Sequence, residues 1–189
     1  MMKKITLLIL LTFFVFQFGN AQVIKDFDAS AAWSSFMGWT GSSTENIPGW
    51  AIPDLVVLLD TDANTATLKP NRVNDIAPYW IADPVTDLFG LNTMSASVFV
   101  SDDALAATNF NFVGNVLSND LDSGFSSQAF IKVFNADYTA LLVDLLLDLT
   151  PGNFSLNYDG TAAGAVHVQY GFITVGLNVN PTTAFDARI

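Results

Sequence analysis

The 189-residue chain has no cysteine, one histidine and, among eighteen acidic residues, a single glutamate. Each scarcity closes off a class of chemistry. Without thiols there is no disulfide framework, no thiolate metal site and no cysteine to carry a lipid anchor. A serine triad or a His-ligated metal would have to pass through His167, whose valine-rich flanks at strand spacing suit a structural histidine better. Glu45 alone makes no glutamate pair for glycoside hydrolysis, and nothing selects two aspartates to replace it. No GxSxG, HExxH or phosphate-binding glycine loop is present. The expectation is a protein that is not an enzyme. Cations are scarce too: seven Lys and Arg against the eighteen acids leave a net charge of −11 and a pI near 4.1. Such a surface repels a phosphate backbone, which excludes nucleic acid as a partner.

Long apolar runs are also missing. The longest, Ile5 to Phe16, falls well short of the roughly 20 residues needed to span a bilayer. It follows the basic Lys3 and Lys4 and precedes Gly19, Asn20 and Ala21, the small-residue pattern of a cleavage site. Residues 1–21 therefore read as a secretory signal peptide, and 22–189 as a single domain that is secreted or periplasmic and does not span the membrane. No internal repeat, low-complexity linker or second domain stands out.

Hydrophobic residues are abundant at 51%, of which sixteen are Phe, enough for one packed core. Nearly all the acid is aspartate, a turn former that disfavours helix interiors. Two-residue alternation appears in Ser95 to Ser101 and Gln128 to Phe134. Further candidate strands are Leu55 to Asp60, Thr65 to Lys69, Thr108 to Ser118, Leu141 to Leu149, Phe154 to Tyr158, Val166 to Val175 and Ala184 to Ile189. Turn clusters separate them, including Asp60 to Asn64 and Asn119 to Gly124. Asp60 to Asn64 opens like a calcium loop, but Thr65 and Asn71 stand where that loop needs Gly and Glu, so a hairpin turn explains it better. These signals predict an all-β protein, an antiparallel two-sheet β-sandwich of jelly-roll type.

Alternation also sorts side chains by face. Val166, Val168, Tyr170 and Phe172 suit the core, as do Ala129, Ile131 and Val133, and Phe154, Leu156 and Tyr158. The opposite face carries His167 and Gln169 on one strand and Gln128, Phe130, Lys132 and Phe134 on another. Amides and a lysine beside aromatics are what sugar recognition needs: hydroxyls take paired donors and acceptors, and the C–H face of a pyranose takes an aromatic platform. An ordinary solvated sheet face is the rival account.

The stretches Ala129 to Tyr138, Leu149 to Ser155 and Val168 to Pro181 carry a resemblance. From Leu91 to Asp186, with weaker support from Trp50 to Ile81, the chain resembles the jelly-roll carbohydrate-binding modules attached to secreted polysaccharide-degrading enzymes, notably laminarinase-type family-16 glycoside hydrolases. The resemblance implies non-catalytic binding of a polysaccharide, a neutral one such as a β-glucan given the acidic surface, and association with a separate glycoside hydrolase. It also implies a structural Ca2+ between the ends of the chain, held by Asp28 and Asp186 with Asp26 as a further candidate. Asp28 stands where the related pattern more often has Glu, and Gly90, Leu91 and Asn92 replace its Gly-Asn-Lys. Trp50, Tyr79 and Trp80, in loop-like contexts, are the candidate sugar platforms, each with a core plug as its alternative; Gln128, Lys132 and Gln169 are the candidate polar contacts. The competing function is a structural or adhesive extracellular protein with the same fold and no sugar site.

Overall fold

The computed structural model describes residues 22–40, 45–47, 51–70 and 76–181. The proposed signal peptide, Trp50, Asp186 and the candidate strand from Ala184 lie outside them. In chain order the strands are β1 (Val23–Asp26), β2 (Trp33–Thr40), β3 (Glu45–Ile47), β4 (Val57–Asp60), β5 (Thr65–Leu68), β6 (Phe89–Ser101), β7 (Phe110–Val116), β8 (Ser126–Phe134), β9 (Leu141–Asp148), β10 (Gly152–Tyr158) and β11 (His167–Val179). Short 3₁₀ turns at Ile52–Leu55 and Asp103–Leu105 are the helical elements among the described residues.

A six-stranded sheet, ordered β3-β2-β6-β11-β8-β9, faces a three-stranded sheet, β1-β7-β10, and β4 and β5 form a separate hairpin. The expected all-β sandwich is what the chain forms. Its pairings are antiparallel with one departure: β1 runs parallel to β7, Val23 opposite Phe110 and Asp26 opposite Val113. After β6 the chain crosses to the small sheet for β7, returns for the β8–β9 hairpin, crosses again for β10 and returns for β11. That last strand lies between β6 and β8, so it is covered on both edges.

Aromatic residues at period two join the sheets. Phe110 and Phe112 of β7 point inward and are fully buried. Phe112 meets Tyr170 at 5.2 Å and Phe172 at 5.4 Å, while Phe154 of β10 reaches Phe172 at 6.0 Å. Ala129, Ile131 and Val133 of β8 and Met94, Ala96 and Val98 of β6 complete the large sheet's inner face, as alternation predicts. Each buried large side chain contributes about 1.5–3 kcal/mol.

The small sheet's outer face is a run of amides that bond to one another. Asn157 donates to Asn111 at 2.9 Å and Asn109 at 3.1 Å, and Asn115 donates to Asn153 at 2.7 Å. The Asp60 to Asn64 turn is the hairpin turn between β4 and β5. Asp60 accepts the N–H groups of Asp62 and Ala63, and Asn64 takes the left-handed conformation at φ 51° that asparagine tolerates.

Candidate functional site

The outer face of the large sheet is set by the register of β6, β11, β8 and β9. One row runs Ser101, Gln169, Lys132, Asp144; the next runs Phe99, Gly171, Phe130, Leu146; a third includes Ser97, Ile173, Gln128 and Asp148. Gln169 and Lys132 are therefore direct cross-strand neighbours, and Gln128 lies two rows away with its amide on Asp148 at 2.7 Å. Gly171 has a structural reason to lack a side chain, because an added Cβ would meet the Val98 carbonyl and the Phe99 backbone of β6. Phe99 and Phe130 close over it, ring centroids 6.4 Å apart. Lys132 Nζ sits 5.1 Å from the Phe130 centroid, and Phe130 is only 1% exposed. A sugar ring has no access to it as a platform.

An aromatic ring that does face solvent near this row is Tyr138, 51% exposed. It sits in the β8–β9 connection, a turn its own polar side chains define. Asn135 accepts the Ala140 N–H at 2.9 Å and donates to the Thr139 hydroxyl at 2.9 Å, and Asp137 accepts the Thr139 hydroxyl at 2.7 Å. Those bonds hold Tyr138 at φ 58°, an outlier for a bulky residue that costs on the order of 1–3 kcal/mol. The conformation places the phenol flat on the His167 ring, centroids 4.1 Å apart and planes at 6°, with Phe134 at 5.4 Å.

His167 opens β11 two residues before Gln169, on the same face. Its Nδ1 lies 3.0 Å from Asp103 Oδ2 and its Nε2 3.1 Å from the Ala136 carbonyl. Both partners are acceptors, an arrangement that favours the imidazolium, in which both nitrogens donate. The Asp103 bond, the Ala136 bond and the Asp103 charge raise its pKa above the ordinary 6.5, against a smaller effect of burial. The phenol of Tyr138 is raised too, by burial first and then by Asp103. With both nitrogens held by acceptors the ring is fixed in place, and Tyr138 stacks on it.

The other candidate residues lie elsewhere. Trp80 packs on Trp39, a buried inner-face residue of β2, at 5.7 Å. Its carbonyl takes the Asn178 amide at 3.4 Å. Tyr79 accepts the Trp39 indole N–H at 3.1 Å and is 40% exposed. Trp80 thus takes the core-plug alternative and Tyr79 the rim, both on the side of the sheet away from Gln128, Lys132 and Gln169; the fold does not bring the two groups together. Asp26 ends β1, and Asp28 accepts the N–H and hydroxyl of Ser30 at 2.8 and 2.7 Å, bonds that lower its pKa. Among the described residues no group of three His, Cys, Asp or Glu side chains is arranged to hold a metal ion.

Tyr138 is the candidate residue that composition and alternation miss. Its one sequence signal is local, the Asn135, Asp137 and Thr139 around it, which mark a tight turn. The chain matches no protein-family model, no curated protein and no solved structure.

Proposed function

We propose that the chain is a secreted or periplasmic, non-catalytic polysaccharide-binding module of jelly-roll type. Its site is the outer face of the large sheet around Tyr138, Gln169 and Lys132. The observation that supports this is the exposed Tyr138 ring, fixed on His167 beside two polar side chains that stand opposite each other across β8 and β11. A strained backbone whose product is a rigid, solvent-facing aromatic is the kind of cost retained at ligand sites. The platform takes the C–H face of a pyranose, while Gln169 offers both donor and acceptor and Lys132 a donor to its hydroxyls. The acidic surface favours a neutral polysaccharide such as a β-glucan. Its working partner is a separate glycoside hydrolase. A structural or adhesive role is what remains if no glycan is retained.

The experiment is affinity electrophoresis against soluble polysaccharides, including β-1,3-glucan and alginate, followed by calorimetry on the best ligand. Tyr138→Ala is expected to bind about tenfold more weakly, and Tyr138→Gly, which relieves the positive φ, to fold at least as well as Tyr138→Ala and to bind as poorly. Retention of no polysaccharide, or parental affinity in both variants, overturns the reading.

The calcium expectation belongs to the same proposal. Asp28 and Asp186, with Asp26, supply hard oxygens of the type calcium takes, and six to eight are needed. An ion bound only to the native state raises the melting temperature. EDTA is therefore expected to lower it, and metal analysis finding no calcium in the purified protein removes the site.

A further inference from the structure

At the end of the sandwich away from Tyr138 there is a second concavity, a cleft of about 960 Å³ between the two sheets under the β4–β5 hairpin. Its size lies in the range of small-molecule sites. The walls are pinned by side-chain bonds. Asn64 in the hairpin turn accepts the Ala29 N–H at 2.8 Å and donates to the Phe27 carbonyl at 3.3 Å. Across the cleft, Asn119 donates to the Leu149 carbonyl at 2.6 Å. The floor is aromatic: Phe27 and Phe154 lie 5.9 and 6.0 Å from Phe172. Gly114 is what admits the Phe154 ring, since a Cβ there would come within 2.6 Å of it.

The walls carry polar side chains as well, and one hydroxyl among the lining residues stands apart. Ser127, opposite Thr174 on the inner face of β8, lines the cleft and is only 8% exposed. Its hydroxyl has no hydrogen-bond partner, alone among the buried side-chain polar atoms of the described residues. A buried hydroxyl without a partner costs about 1–3 kcal/mol, and nothing in the packing of an antiparallel strand demands serine over alanine or valine at an inward position. The cost is recovered when a ligand oxygen pairs with it. Asp26, Lys69 and Asp120 also line the cleft, two acids to one cation, a balance that does not favour an anion, and the aromatic floor holds no carboxylate to pair a cation.

We propose that this cleft is a second ligand site, distinct from the glycan face, which takes an uncharged, ring-bearing apolar molecule that presents one hydroxyl or carbonyl oxygen to Ser127. It does not depend on the polysaccharide reading, because none of its residues belongs to the Tyr138 surface.

The test is fluorescence titration of the full chain with Prodan, a neutral naphthalene ketone whose emission moves to the blue on leaving water, with the anionic dye anilinonaphthalene sulfonate for comparison. Prodan is expected to bind one-to-one with a blue shift and more tightly than the sulfonate. Ser127→Ala is expected to weaken Prodan about tenfold without lowering the melting temperature, because the lost hydroxyl has no partner in the fold. Ala63→Trp, at an exposed position of the hairpin turn on the cleft wall, blocks the mouth and is expected to abolish binding. Tyr138→Ala leaves Prodan binding unchanged. No saturable binding, binding unaffected by Ser127→Ala, or binding retained in Ala63→Trp overturns the proposal, whatever the polysaccharide panel shows.

Discussion

His167 is the residue on which the proposed glycan platform rests, and its raised pKa has a definite pH consequence. Its folded pKa is raised above 6.5 by Asp103 first and the Ala136 carbonyl second. A cation with a raised folded pKa contributes stability that is fully present below the unfolded value and is lost as pH rises through the folded one. Once neutral, the ring can donate from one nitrogen only, so either the Asp103 or the Ala136 bond fails and the surface under Tyr138 loosens. The His167 ring proton followed by NMR is therefore expected to titrate with a midpoint above 6.5, and glycan affinity to fall through the same interval. Asp103→Asn should move both midpoints down together. A midpoint at or below the ordinary histidine value would mean that the two acceptors do not hold the imidazolium.

At the level of elements, what the sequence shows and what it hides have different physical causes. The long strands β6, β8 and β11 and the shorter β10 are legible because inward positions are large and apolar at period two and the sandwich needs that pattern. β2 escapes it because Ser35 shares the inner face with Trp33, Met37 and Trp39, while the outer Phe36 is large. β1 escapes because it is four residues long and carries Lys25, whose ammonium reaches Asp102 at 2.8 Å. The amide-rich outer face of the small sheet is legible from Asn109, Asn111, Asn153 and Asn157; that these amides are spent on each other is not. Gln169 and Lys132 are found by alternation because facing is a local property. Their neighbour Tyr138 is not, since a left-handed tyrosine stacked on a histidine 29 positions away in sequence is decided by tertiary structure. Trp80 shows the converse: its turn context is local and legible, as the Trp80 N–H bonds to the Ala77 carbonyl at 2.8 Å, but which of its two readings the ring takes is decided by tertiary packing against Trp39. At the open edge of the large sheet, β9 keeps Asp144 and Asp148 among its leucines, charges that oppose edge-to-edge pairing with another chain.

For the molecule as a whole, both proposed sites hang on one core. The proposed glycan face is the back of the sheet whose front is Tyr170 and Phe172, and the cleft is the unfilled end of the layer those rings occupy. Phe112 is fully buried at the centre and touches Tyr170, Phe172 and Phe154, so it links β7 and β10 of the small sheet to β11 of the large one. Its truncation leaves a cavity that neither rigid sheet can collapse to fill. Phe112→Ala is expected to cost about 3–5 kcal/mol and, because the sheets have no separate cores to fall back on, to lower a single cooperative transition without splitting it. Thermal unfolding followed by far-ultraviolet circular dichroism and by tryptophan fluorescence is the check. The two probes watch different parts: the first sums all strands, and the second is weighted to Trp33, stacked on Phe172 at 5.9 Å, and to Trp39 and Trp80. Coincident curves in parent and variant are what a shared core requires. Curves that separate in the variant would mean that the sheets, and with them the two sites, are independently stable.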